Sequence, residues 1–408
     1  MANSLLFLLL LLTITDYLFL FGSKKQITIK RKAPDRLSNG DENPISIQLQ
    51  STYRIKLDAY LIDELPKQFQ LRNFSIQSTL LPQQKSVINY TLKPHVRGVY
   101  HFGYTHVYVS TPLHFFERRF TSLVEKSVAV YPSFLHIKKN QLMAEADKYV
   151  QGGTSMVARK GLSTEFDHIR DYSRGDDFRM INWKASARRN ELMLNSFMEE
   201  KSQHIYCIID KGRLMKMPFD HMSLLDYAIN ATLMISYVGL QKNDKIGLIT
   251  FAERVQDIFI ASKTKLQFAR INELLYKQET DFLESNFEDL YIQVSKKLSQ
   301  RSLIMLFTNF ETYSSFERQK KYIQALNKKH LVCIVIFENT ELSVIHTERQ
   351  DSIEDIYIKT IANKFLHEKT LIIKELRKMG VLTIYTAPKK LNTGVINMYL
   401  QLKKRSII

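Results

Sequence analysis

The sequence predicts an α/β protein. A doubly wound, mostly parallel sheet with helices on both faces follows a small antiparallel β-sandwich and an N-terminal transmembrane helix. Three observations carry this reading. From Gln203 onward, apolar strand runs alternate with amphipathic helical stretches. Between Gln26 and Val130, short period-two runs are separated by turn signals. Ahead of both lies an apolar run from Ser4 to Gly22. The boundaries that follow are 1–25 for the anchor, 26–135 for the β-sandwich, 136–202 for a connector and charged segment, and 203–408 for the α/β domain.

The run Ser4 to Gly22 is the membrane candidate. A helix of this length reaches about 28 Å, close to the thickness of a bilayer's hydrocarbon core. Asp16 interrupts it, and a central Asp costs roughly 3 kcal/mol on the insertion scale. Nine Leu and three Phe, at about −0.3 to −0.6 kcal/mol each, outweigh that cost. The residues before Leu5 hold no Lys or Arg and no small-residue cleavage site follows, which argues against a signal peptide. Lys24, Lys25, Lys30, Arg31 and Lys32 come directly after the run, so the positive-inside rule puts the bulk of the chain in the cytoplasm. The expected location is the inner (cytoplasmic) membrane, crossed once.

From Gln26 the runs Ile45–Leu49 and Val87–Leu92 alternate at period two. Ser38-Asn39-Gly40-Asp41, Leu81-Pro82 and Arg97-Gly98 punctuate them. Residues from Phe134 to Lys160 are polar, helix-prone and then Gly-rich at Gly152-Gly153, as a connector would be.

Beyond Gln203, strands are predicted at His204–Asp210, Lys245–Phe251, Val255–Ile260, Ser302–Thr308, Leu331–Phe337 and Val381–Tyr385. Ser223, with Asp226 three residues on, reads as a capping box. Leu224, Ala228, Ala231, Ile235 and Val238 then repeat at helical spacing. Further helices are predicted at Lys265–Tyr276, Phe287–Leu298, Phe316–Lys328, Glu354–Met379 and Thr393–Lys403.

With 408 residues the chain has room for two or three domains and a full core. Hydrophobic residues at 45% and charged residues at 24% are ordinary for a folded protein, but a net charge of +17 is not. It favours an anionic lipid surface or an acidic partner. The absence of a zinc finger, an RNP motif or a helix-turn-helix pattern argues against nucleic acid as a partner. Cys207 and Cys333 each sit in an apolar strand run without metal-ligand spacing, as buried thiols in a reducing compartment do.

The chemistry concentrates between Gly161 and Met215. Glu165, Asp167, Arg170, Asp171, Arg174, Asp176, Asp177 and Arg179 alternate in sign around the chain's single tryptophan, Trp183. Asp176-Asp177 is a candidate acid pair for general acid–base work. With Arg170, Arg174, Arg179, Arg188 and Arg189 so near, ion pairs that lower the carboxyl pKa are the better reading. Asp176, Arg179 and Trp183 fall three and four apart, on one face if the segment is helical. They are therefore expected to form a structural layer, with the indole packed on the sheet and its N–H bonded nearby. Arg170, Arg174 and Arg189 are expected to remain free for docking. No P-loop, strand-linked G-x-G-x-x-G, H-E-x-x-H or G-x-S-x-G is present, so neither a catalytic residue nor a cofactor is assigned.

Gly161, Glu165-Phe166, Arg170-Asp171-Tyr172, Gly175-Asp176-Asp177, Arg179, Asn182-Trp183-Lys184, Ala187-Arg188 and the strand ending at Asp210 together resemble the signature of the Domain of Unknown Function 58 (DUF 58) family. The stretch from Arg97-Gly98-Val99-Tyr100 to Thr111-Pro112-Leu113 is similar to that family too, with His114-Phe115-Phe116 where members often have Gly-Leu-Phe. The resemblance implies a bacterial, membrane-anchored protein encoded beside a MoxR-type AAA+ ATPase, and other von Willebrand factor A proteins as further partners. Members often carry two apolar spans, the second with an Asp, which implies that a first span is lost here or lies upstream. It also implies a C-terminal part like a von Willebrand factor A domain, whose metal-ion-dependent adhesion site has the form D-x-S-x-S with a distant Thr and a second Asp.

Ligands of such sheets bind at the carboxyl ends of the strands, and a hard cation there needs oxygen donors. Asp210 occupies the first position, but Gly212 and Leu214 occupy the two Ser positions, Asn309 the second Asp, and Thr280 the Thr. Lys211 and Arg213 lie where a cation would bind. A degenerate site without metal is expected, with Asp210 hydrogen-bonded in place. The expected function is a non-enzymatic adaptor or assembly factor working with the ATPase. The alternatives are a metal-dependent hydrolase using Asp176, Asp177 and Asp210, and a basic scaffold that binds anionic lipid.

Overall fold

The structure is a computed structural model that describes residues 2–22, 26–133, 160–198, 202–264, 266–347, 353–405 and 407, without the side chains of 2, 160–168, 196–198, 344, 346 and 347. Lys24, Lys25 and the expected connector with Gly152 and Gly153 lie outside the described residues, as do the side chains of Glu165, Phe166 and Asp167. The chain forms two compact units. One comprises Met1–Lys139, Pro218–Asn230 and Asn272–Gln278, the other Asn140–Met217, Ala231–Ile271 and Glu279–Ile408.

The first unit opens with α1 (Ala2–Phe21). Its stretch Asn3–Phe21, of mean hydropathy 2.2, is long and apolar enough to cross a membrane. Most of its side chains face outward, but Asp16 and Leu20 are buried. Asp16 accepts the Thr111 hydroxyl and the N–H groups of Phe115 and Phe116, the latter two at 3.1 Å. The Leu20 carbonyl, one of the helix's unpaired C-terminal acceptors, takes the Tyr53 hydroxyl at 2.9 Å and the Arg118 guanidinium at 2.8 Å. A cation there also suits the negative end of the helix dipole.

Ten strands follow: β1 (Ile27–Lys32), β2 (Arg36–Ser38), β3 (Asn43–Ser51), β4 (Leu57–Asp63), β5 (Ser75–Leu80), β6 (Lys85–Leu92), β7 (Gly98–Phe102), β8 (Thr105–Ser110), β9 (Glu117–Ser122) and β10 (Lys126–Tyr131). They form sheets ordered β1-β3-β6, β2-β10-β7 and β5-β4-β8-β9. Period-two patterning works as expected in β3, where Ile45, Ile47 and Leu49 point inward. Ile47, Leu49, Leu61, Val107 and Val109 share one core with Leu20 of α1, and Leu37, Tyr100, Phe102 and Val128 belong to a second. Arg31 departs from the sequence reading. Its side chain is 5% exposed and paired with the fully buried Asp63, so it is no free juxtamembrane cation. Lys30 and Lys32 are exposed.

The remaining elements are β11 (Lys160–Asp171), α2 (Trp183–Arg189), β12 (Met193–Met198), β13 (His204–Asp210), the short β14 (Pro218–Phe219) and β15 (Met222–Ser223), α3 (Leu224–Gln241), β16 (Lys245–Phe251), β17 (Val255–Ser262), α4 (Gln267–Tyr276), α5 (Phe287–Lys297), β18 (Leu303–Phe307), α6 (Tyr313–Lys329), β19 (Leu331–Phe337), α7 (Thr340–Thr347), α8 (Ile353–Lys378), β20 (Leu382–Thr386) and α9 (Leu391–Lys404). The six-stranded sheet has the order β17-β16-β13-β18-β19-β20. All its pairs are parallel except that of the edge strand β17 with β16.

Both faces of this sheet are covered. Tyr206 and Ile208 pack with Phe287 and Leu290 of α5, Phe316 of α6 and Leu376 of α8. Cys207, one residue out of phase, meets Thr232 of α3 on the opposite face, and burial pushes its thiol up to about 12. Cys333 is likewise buried, with its thiol pushed up to about 12. The capping box is present: Asp226 accepts the Ser223 N–H at 3.2 Å, and Ser223 Oγ accepts the Asp226 N–H at 3.2 Å.

Candidate functional site

The charged segment folds on itself. β11 and β12 pair antiparallel as a two-stranded ribbon, and the chain between them holds a turn, a single 3-10 turn (Phe178–Met180) and α2. Each bend has a local cause. Gly175 adopts φ +101°, which L side chains rarely adopt. Asp176 accepts the Ser173 N–H at 3.0 Å and pairs with Arg170 at 2.8 Å, its side chain only 5% exposed. Asp177 accepts the Arg179 N–H at 3.0 Å and so caps the 3-10 turn.

Asn182 caps α2 through the Ala185 N–H at 3.0 Å and reaches Asn195 on β12 at 2.8 Å. Ser186 donates to the Asn182 carbonyl and accepts the Met193 N–H, tying helix to ribbon. Asn190, at φ +60°, ends the helix in a left-handed cap.

The outward-facing residues are a different set. Trp183 is 69% exposed and Phe178 68%. Arg174, Arg179, Lys184, Arg188 and Arg189 are exposed around them. This overturns the expectation that the indole packs against the sheet, and regroups the predicted residues. Asp176 is structural, as expected, but it pairs with Arg170, a residue expected at the docking face. Arg179 and Trp183, expected in the structural layer, face outward. The cause is backbone geometry: Asp176 lies in a turn, Arg179 in a 3-10 turn and Trp183 at the first position of α2, so a three-and-four spacing puts them on no common helical face. Trp183, Arg174 and Arg179 thus sit on a frame built by their neighbours.

The strand-end site is built around Asp210, the last residue of β13, which is buried. It accepts the Ser285 hydroxyl, the Thr308 hydroxyl at 2.6 Å and the Gly212 N–H at 2.8 Å. Burial raises its pKa, and those three donors oppose the rise. Ser285 and Thr308, rather than Thr280, supply the hydroxyls. A Cβ on Gly212 would lie 2.1 Å from Ser285 Oγ, so Ser285 occupies the space that a side chain at 212 would need. Leu214 is half-buried in a short 3-10 segment and offers no oxygen.

Lys211 turns to Gln256, and Arg213 is exposed and pairs with Glu284. Neither is placed as expected, at a cation's position beside Asp210. A cation nevertheless reaches the neighbouring strand end. The Lys369 ammonium donates to Asn309 Oδ1 and the Phe310 carbonyl, and burial pushes its pKa down to about 8. Sequence reasoning missed Ser285 and Lys369 because they come from 75 and 159 positions beyond Asp210, on a loop and on α8. Among the described residues no three His, Cys, Asp or Glu side chains are placed to share a metal ion.

An α/β domain with a parallel core sheet, joined to a β-rich region and an apolar N-terminal helix, defines the class of protein. In sequence, residues 168–350 match the family model described as "Protein of unknown function DUF58". The chain is similar to the uncharacterized protein YeaD of Bacillus subtilis (strain 168), 24% identical over 129 residues. That match spans about a third of the relative's length, 32% of either chain. Among solved structures it is similar to the conserved hypothetical protein BatB from Bacteroides thetaiotaomicron, at 12% identity and TM-score 0.33 over 50% of this chain and 100% of that one. It is also similar to the CARDB domain of the PF1109 protein from Pyrococcus furiosus, at 13% identity and TM-score 0.19 over 26% of this chain and 93% of that one.

Proposed function

We propose that this protein is a non-enzymatic, membrane-anchored adaptor or assembly factor that works with a MoxR-type AAA+ ATPase. In this reading its β-rich region is a β-sandwich and its α/β part a von Willebrand factor A-like domain without a metal. The single observation that carries the reading is the division of labour in 170–190. Gly175, Asp176, Asp177, Asn182, Ser186 and Asn190 hold the backbone, while Trp183 and Phe178 stand out among exposed arginines. A large aromatic costs free energy to hydrate, and Trp and Arg are among the side chains enriched at binding hot spots. The surrounding positive charge suits an acidic face on the partner. The apolar α1, followed by Lys24, Lys25, Lys30 and Lys32, supports an inner-membrane anchor with the rest of the chain cytoplasmic.

The test is co-purification of the full chain, extracted in mild detergent, with the AAA+ ATPase encoded beside it. Trp183→Ala and the pair Arg188→Glu with Arg189→Glu should weaken capture by at least about 30-fold, a 2 kcal/mol hot spot. Undiminished capture by both variants would remove the docking face from the reading. Salt-sensitive binding to anionic vesicles without ATPase capture would favour the lipid scaffold instead.

A further inference from the structure

The loop between β8 and β9 brings three exposed apolar side chains against α1. Leu113, Phe115 and Phe116 are 44%, 43% and 38% exposed. The Phe116 ring sits edge-on to Tyr17 of α1, with centroids 5.7 Å apart. The apolar surface of the helix therefore meets an apolar ring of the loop at this point. We propose that residues 111–116 are a second membrane contact, entering the headgroup–acyl boundary beside α1 with Leu113, Phe115 and Phe116 against phospholipid. The inference rests on the reading that α1 lies in a membrane.

Depth is the first argument. From Asn3 to Thr15 the helix rises only about 20 Å, against a hydrocarbon core of about 30 Å. Filling the core requires the turn and a half from Asp16 to Phe21, which carries Asp16 roughly 8 Å inside the boundary. What holds Asp16 must go with it, and its partners are Thr111, Phe115 and Phe116.

Backbone satisfaction is the second argument. A loop can enter a water-poor layer only if its own polar groups are already paired. Here the Leu113 N–H bonds to Thr111 Oγ1 at 3.2 Å, the His114 N–H to the Thr111 carbonyl at 3.1 Å, and the next two N–H groups to Asp16. Four consecutive donors are thus internally paired. His114, in the left-handed region at φ +56°, bonds through its ring to Ser110 and Asp58, with its side chain still 58% exposed. The Asp16 that interrupts the apolar run therefore makes the loop compatible with lipid.

The test uses the full chain in phospholipid vesicles, with Trp183→Phe to clear the background. Single reporters are then placed as Phe116→Trp, Leu113→Trp, Phe7→Trp in α1 and Val99→Trp on β7. Lipids brominated near the headgroup should quench Phe116→Trp and Leu113→Trp severalfold more than Val99→Trp, with a blue-shifted emission. Lipids brominated near the chain ends should quench Phe7→Trp. If Phe7→Trp is quenched while both loop reporters behave like Val99→Trp, the loop is not a lipid contact and the anchor stands. If Phe7→Trp is not quenched, the anchor reading fails and the inference falls with it. Loop quenching that matches Val99→Trp in pure lipid but shifts to blue on adding a membrane protein partner would make the face a protein contact and overturn the proposal.

Discussion

Gly212 offers a direct measurement of how the strand-end site is packed. Replacing it by Ala adds one carbon that would lie 2.1 Å from Ser285 Oγ, 3.1 Å from Asp210 Oδ1 and 3.2 Å from the Leu283 carbonyl. The hydroxyl can rotate away, but only by giving up its bond to Asp210. A hydrogen bond to a buried carboxylate is worth about 1.5–3 kcal/mol, and overpacking a tight core adds about 1–3 kcal/mol. Gly212→Ala should therefore destabilise by roughly 3–5 kcal/mol. Ser285→Ala alone should cost only the bond, about 2 kcal/mol. In the double variant the bond is lost only once and the clashing oxygen is gone, so its cost should fall short of the sum of the singles by at least about 2 kcal/mol. Urea unfolding of the full chain in mild detergent gives all three values. Additive costs, or a neutral Gly212→Ala, would show that Ser285 does not fill the space beside Gly212.

Two further predictions follow. Asp176→Asn should destabilise by about 2 kcal/mol, below the usual 3–5 kcal/mol for a buried ion pair because Arg170 is partly solvated, whereas Trp183→Ala should stay within about 0.5 kcal/mol. Equal thermal shifts for the two would contradict the division between frame and outward face. Lys369 has a folded pKa of about 8 against 10.5 for the free side chain, so between those values the unfolded state binds more protons and stability rises with pH. The rise should amount to on the order of 3 kcal/mol and be missing in Lys369→Met, read as the difference between two unfolding series over that range so that other titrations cancel. Parallel series would show that the ammonium is not desolvated.

Much of the α/β part was legible in the sequence. The strands His204–Asp210, Lys245–Phe251 and Leu331–Phe337 match prediction to the residue. Buried parallel strands are unbroken apolar runs, and their ends are marked by the charged residues that flank them. The capping box at Ser223 and Asp226 is local chemistry and was equally readable. Helix α7 (Thr340–Thr347) was not foreseen, since its short run carries no strong periodicity. In the signature segment the geometry departs from the sequence pattern. Gly175, Asn182 and Asn190 bend the chain so that three-and-four spacing loses its meaning. Asp16, Asp210 and Arg31 mark the limit most clearly. Asp16 looked like an insertion penalty and Arg31 like a juxtamembrane cation, while Asp210 was expected to be hydrogen-bonded but without its partners named. Each is committed to groups far along the chain: Thr111, Asp63, and Ser285 with Thr308. A buried charge has to be paired by whatever the fold brings to it, and which groups those are is a property of the folded chain, set by tertiary contacts that no local pattern encodes.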